Sequence, residues 1–388
     1  MGLSDAENAI YQNILKYAAE LSLNLMAVKV TERPEDFLGW CHEFLRLCQD
    51  ELNYDLLDDV QLPPLKKLQD ILKHAISVTQ LKMLRIAPWP IFHGFIEQNI
   101  EHQAVKERLR LLRHIGDLHG TALADMVSPD KLAFSGKHTA IHDPSVYSFD
   151  VEWFASTKGA KVFHQLLETS PELFDQALAH IPNEGDVEYS QYQAFADAYQ
   201  AIFAQYTVDK PQGEKAPLAA ASRLLAMKRP DQFIALTNAK IDALCQGFSI
   251  AKFNGFDFDS YWHELIASVR TCAWWHQAEP MVDGENTTEL EIWRARALFV
   301  DVFFFAEKDA ALHSNYLKAR DKALGKQSQS KVVRTKRTKE TAEMLVDRVL
   351  ANDELPAYLH EKRDSIINQV KEGKNVDHVI GLMRAIFG

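Results

Sequence analysis

Apolar positions recur every three to four residues through most of this chain, the spacing of helices with one buried face. "AENAIYQNILKYAAELSLNLMAV" puts Ile10, Ile14, Leu15, Tyr17, Ala18 and Leu21 on one stripe. "MAVKV" breaks the period and reads as a short strand, after which "ERPEDFLGWCHEFLRLCQDEL" restarts it with Pro34 near the first turn. "LPPLKKLQDILKHAISVTQLKML" and "EHQAVKERLRLLRHIGDLHG" continue it, separated by the chain break "APWPIFHGF". From 121 to 160 the period fades among turn residues and isolated aromatics, which predicts an irregular or β-containing insert.

The expected fold class is therefore mainly α, with two to three packed helical domains. The pattern divides into an N-terminal helical domain (1–120), a middle region with the insert and further helices (121–206), and a linker at "TVDKPQGEKAP" (207–217). A helical module (218–317), a basic segment (318–340) and a C-terminal helical pair (341–388) follow. Inside the module, "LLAMKRPDQFIALTNAKIDALCQGFSI" predicts a helix that stops before Pro230, because the residue ahead of a proline is pushed out of the α region. "QFIAL" is then extended. Thr237 or Asn238 caps a new helix that Gly247 ends, and Asp259 or Ser260 caps the helix "DSYWHELIASVRTCAWW". "LEIWRARALFVDVFFF" reads as one strongly apolar helix.

Composition fits this picture: 47% hydrophobic residues, 25% charged, and only 16 glycines in 388 residues. No apolar run approaches the roughly 20 residues of a membrane span. The start of the chain lacks a signal-peptide pattern, and Ala6 breaks the myristoylation pattern. Four cysteines without a CxxC pair read as reduced thiols, so a cytoplasmic location with no membrane partner is expected.

Charge changes the picture more. The formal net charge is −11, yet Lys318 to Lys339 holds nine basic residues against one acid, Asp321. Without that excess of eight positive charges the rest of the chain carries about −19. Lys326, Lys331, Arg334, Lys336, Arg337 and Lys339 could displace counterions from phosphate, which points to nucleic acid as the partner. A solvated linker is the bland alternative. The "KRPDQF…TNAK" element offers a second place for phosphate: Lys228 and Arg229 precede a turn, and Asn238 and Lys240 start a helix whose free N–H groups favour anions. Its alternative is an Arg229–Asp231 staple with Phe233 anchored in the core.

Trp262, Trp274, Trp275 and Trp293 could stack bases but fit core positions better, with Trp275 the best exposed candidate. His138 and His142 lack helical context and an HExxH glutamate, so no metal is expected. Asp143, Asp150 and Glu152 with Lys158 or Lys161 supply nuclease residue types without the acid-x-lysine spacing. No phosphate-loop, dinucleotide-fold or nucleophile-elbow motif occurs, and no cofactor is indicated.

The lysine-arginine-proline-aspartate turn, the "YW" helix ending in a double tryptophan and the "W-x-A-R-A-x-x-x-D" stretch, spanning 216–306, resemble a helical module of bacterial defence and restriction-associated proteins. The resemblance implies a DNA-directed setting, in which DNA binding alone and endonuclease or nickase activity are both expectations. It carries no catalytic residue over. A helical adaptor for protein partners, with the basic segment only a linker, is the competing class.

Overall fold

The helix Leu218–Lys228 reads LAAASRLLAMK and offers water almost no polar face. A helix apolar on all sides belongs inside a protein, and here Leu218 and every residue from Ala220 to Met227 are buried. In this computed structural model the described residues are 3–21, 35–52, 54, 57–137, 156–157, 159–206, 213–281, 287–306, 341–351 and 355–387. They are mostly helical, with no strand among them beyond one isolated bridge, Leu52 to Lys374. None of their helices is long and apolar enough to cross a membrane.

The chain forms two compact units, 80–330 and 1–79 with 331–388. In the second of these, Asp5–Glu20 opens with a capping box: Ser4 Oγ accepts from Glu7 N, and Glu7 Oε2 accepts from Ser4 N at 2.8 Å. Phe37–Arg46 starts at an Asp36 cap. The C-terminal stretch, expected as a pair, consists of Ala342–Leu350, Tyr358–Glu361, Arg363–Lys371 and Val376–Phe387 around a core that includes Val346, Leu359, Ile366, Val370 and Val379. The expected strand "MAVKV" lies outside the described residues.

In the 80–330 unit, Ser128–Ser135 and Pro171–Leu178 pack on the central Leu218–Lys228 helix. Ser128–Ser135 also occupies part of the stretch expected to be an irregular insert; residues 138–155 lie outside the described residues. The expected linker falls within this unit: 207–212 are not described, while Gly213 takes a left-handed φ of 81° with its Cα facing the Ala204 carbonyl. A side chain there would meet that oxygen, so the position requires glycine.

The central helix ends at Lys228 because Arg229, ahead of Pro230, adopts φ −140° and ψ 77°. "QFIAL" is irregular, and side chains satisfy part of its backbone: Leu236 N donates to Ser222 Oγ (2.9 Å), and Ile234 O accepts from Tyr261 Oη (2.8 Å). The next helix, Asn238–Phe248, runs through Gly247 and ends at Ser249, which takes the left-handed conformation instead. Asp257, not Asp259 or Ser260, caps the following helix by accepting from Ser260 N. That helix winds through a π-wound stretch, Tyr261–Ile266, before Ala267–Arg270. "LEIWRARALFVDVFFF" is not one helix: Thr287–Arg294 gives way to the 3₁₀ turns Leu298–Phe303.

Candidate anion-binding cleft

The four residues singled out around the KRPD turn do not share one exposed face. Arg229 is 5% exposed. Its Nε and Nη2 grip Asp231 Oδ1 and Oδ2 at 2.8 and 2.7 Å, while Nη1 and Nη2 donate to Pro182 O (2.7 Å) and Gly185 O (2.6 Å). With Phe233 fully buried beneath, this is the staple arrangement. Lys240 turns inward, its Nζ 2.5 Å from Asp301 Oδ1 and 5.0 Å from the centre of the Phe304 ring. Arg108 Nη1 holds the other Asp301 oxygen at 2.7 Å. Burial pushes the Asp301 carboxyl up, but the two cations outweigh it and keep it below the ordinary carboxylate range. Asn238 stays exposed, its Oδ1 lying 2.3 Å from where a side chain on Gly255 would begin.

Lys228 differs from all three. It is half-buried, and it has no hydrogen-bond or ion-pair partner among the described residues. Burial and then the neighbouring Arg229 lower its pKa, with Asp175 opposing. A desolvated cation without a partner is a standing cost to the fold that a bound anion removes.

It lines a cleft of about 850 Å³ within the 80–330 unit. One wall is the helix Val105–Asp117 with Arg113 and Gly116; others are the loop 183–186, the turn 227–232, Glu279 and the stretch 291–296. Most rim charges are spent on one another. Arg113 forks onto Glu291 at 2.6 and 2.7 Å, and Arg294 reaches Glu279 at 3.0 Å. Arg296 forms no ion pair among the described residues and donates to the carbonyls of Trp275 (3.2 Å) and Trp293 (3.1 Å). Burial lowers its pKa as well.

The tryptophans are ordered by these arginines. Arg270 lies 4.7 Å from the Trp262 ring and 5.7 Å from Trp275; Arg296 lies 5.1 Å from Trp275 and 4.7 Å from Trp293. The result is an alternating ladder, Trp262–Arg270–Trp275–Arg296–Trp293, held by cation–π attraction. Trp275, expected to be the exposed one, is 6% exposed, with Arg270 and Arg296 both packed against its ring. Trp274 is fully buried, stacked on Phe92 and donating to Leu84 O. Trp293, at the ladder's end, is the one that reaches the cleft; Trp293 Nε1 donates to Gln277 O at 2.8 Å.

Lys326, Lys331, Arg334, Lys336, Arg337 and Lys339 lie outside the described residues, as do His138, His142, Asp143, Asp150, Glu152 and Lys158. Lys161 begins the helix Lys161–Thr169 at an exposed position. Among the described residues no group of three or more His, Cys, Asp or Glu side chains could hold a metal ion. The four cysteines are buried and free, and burial pushes the Cys48 and Cys272 thiols up to about 12, away from nucleophilic thiolate.

Arg113, Arg294 and Arg296 were not singled out from sequence as binding residues, and Trp293 was weighed as a base-stacking ring but assigned to the core. The usable signal was the three-residue spacing of Trp293 and Arg296, which brings a ring and a guanidinium together in one turn. No family model, curated protein or solved structure matches this chain.

Proposed function

We propose that the protein binds nucleic acid, DNA in the first instance, as a component of a bacterial defence or DNA-processing system. The observation that carries this reading is Lys228, a half-buried cation left unpartnered in a cleft whose other charges are largely spent. The segment 318–340, with its concentration of lysine and arginine in an otherwise acidic chain, supplies the sequence-independent grip on phosphate. The resemblance of 216–306 to defence-associated proteins supplies the setting. The reading assigns binding to these residues and no catalytic role to any of them.

The test is fluorescence anisotropy of labelled DNA against the full chain over a series of salt concentrations. Neutralising Lys331, Arg334, Lys336, Arg337 and Lys339 together lowers the slope of log K against log salt by up to about 4.5, at about 0.9 per lost duplex phosphate contact. An unchanged affinity and slope would make the segment a linker and favour the adaptor class.

A further inference from the structure

We propose that the cleft holds one unpaired nucleotide of a single strand, its phosphate on Lys228 and its base against Trp293. The proposal rests on the nucleic-acid reading and adds which form of nucleic acid the cleft accepts.

Charge is the first argument. Five cations and five anions line the cleft. Three of each cancel in the pairs Arg113–Glu291, Arg294–Glu279 and Arg229–Asp231. Lys228 and Arg296 remain, facing Glu184 and Asp186, which form no ion pair among the described residues. Duplex DNA carries one negative charge per about 1.7 Å of axis, and such a density would set further phosphates against the rim carboxylates. Arg296 is already engaged with the Trp275 and Trp293 carbonyls, which leaves Lys228 to take a single phosphate.

Size and surface give the second argument. A volume of about 850 Å³ falls in the range of small-ligand pockets, roughly 300–1,000 Å³, and is far too small for a double helix. Trp293 lines it half-buried, with its orientation fixed by the Gln277 hydrogen bond and by Arg296 against the ring. A pre-ordered aromatic ring loses little freedom when a base stacks on it, and such stacking tolerates every base. The third argument is donor matching. Exposed carboxylates at 184 and 186 accept hydrogen bonds from exocyclic amino groups, which adenine, cytosine and guanine carry and thymine lacks. An anion site alone has no use for Glu184 and Asp186, which line the cleft without an ion pair among the described residues, Asp186 accepting only from Gln232 Nε2 at 3.4 Å.

The experiment titrates the full chain with labelled single strands of oligo-dA, oligo-dC and oligo-dT, an abasic strand of equal length, and a duplex. Expected is tighter binding of oligo-dA and oligo-dC than of oligo-dT or the abasic strand, and a single-strand affinity about tenfold lower in Trp293→Leu. Duplex affinity stays unchanged in that variant. Lys228→Gln lowers affinity for base-bearing and abasic strands alike. Should Trp293→Leu melt early, Lys228→Gln and the abasic strand carry the test, since neither touches the ladder. Equal binding of single strand, abasic strand and duplex overturns the nucleotide site while leaving nucleic-acid binding intact. No binding to any of them overturns both.

Discussion

Lys228 and Arg229 are adjacent, both basic, and predicted to respond oppositely to truncation. The Arg229 guanidinium makes four hydrogen bonds, two to Asp231 and one each to Pro182 O and Gly185 O, with its side chain 6% exposed. Arg229→Ala leaves Asp231 and two carbonyls short of donors; breaking a buried ion pair by removing one partner costs about 3–5 kcal/mol. At about 2–4 °C per kcal/mol for a domain of 150–250 residues, the melting temperature falls by roughly 6–20 °C. Arg229→Lys recovers little, because an ammonium cannot span a carboxylate and two carbonyls as a planar fork does. Lys228→Ala removes a desolvated cation that has no ion-pair or hydrogen-bond partner among the described residues, so its melting temperature stays within about 1–2 °C of the parent or rises. The assay is thermal unfolding followed by circular dichroism, with DNA affinity measured on the same proteins. An Arg229→Ala protein that melts like the parent would falsify the staple. A Lys228→Ala protein that melts as low as Arg229→Ala would show that Lys228 holds the fold, and would remove the ground for the cleft.

Two further outcomes follow from buried charge. His164 Nε2 donates to Thr157 O (3.1 Å) and lies 3.0 Å from Thr157 Oγ1, and burial, then repulsion from Lys137, lowers its pKa to about 4. The unfolded chain takes up that proton below about 6.5 and the folded one only near 4, so stability falls as pH drops through this window, by at most about 3 kcal/mol; His164→Gln flattens the acid limb of a denaturation profile. Lys240→Glu sets a second carboxylate against Asp301 and lowers the melting temperature strongly, about 3–5 kcal/mol, and any loss of DNA binding it shows tracks unfolding rather than a missing phosphate contact.

The helical class was legible because apolar spacing is a local property: Leu218–Lys228 and Asn238–Phe248 follow directly from period, proline and cap residues. Their ends were less so. Asp257, Asp259 and Ser260 all can cap a helix, and which one does depends on a register the sequence does not encode locally. Gly247 was the natural stop, yet packing carries the helix one residue further, to Phe248 at 2% exposure, and Ser249 takes the left-handed turn instead. "LEIWRARALFVDVFFF" has the composition of one helix, but Leu298 N donates to Pro230 O at 3.0 Å, a bond to the distant turn that a continuous helix would not leave free to form.

The cleft was half legible, and the division follows from where each charge finds its partner. The Arg229 staple is readable because Asp231 lies two residues away and a pre-proline turn brings the two together. Lys240 looked equally available at a helix start, but its partner Asp301 is 61 residues on, in a stretch that reads as purely apolar. Separation hid the ladder in part: two of its contacts are local, but Arg270 reaches Trp262 across 8 residues and Arg296 reaches Trp275 across 21, so each ring looked either plainly core or plainly free. Tertiary partners thus remove most basic side chains of this module from the pool that could meet an anion. Lys228 stands out by what that process leaves over, a cation carried to a cleft wall by the end of a buried helix and given no ion-pair or hydrogen-bond partner among the described residues. A chain that satisfies Arg229 four times, twice within its own turn and twice from the 182–185 loop, has acceptors to spare at this place, so an unsatisfied neighbour is better explained by a ligand than by a shortage of partners.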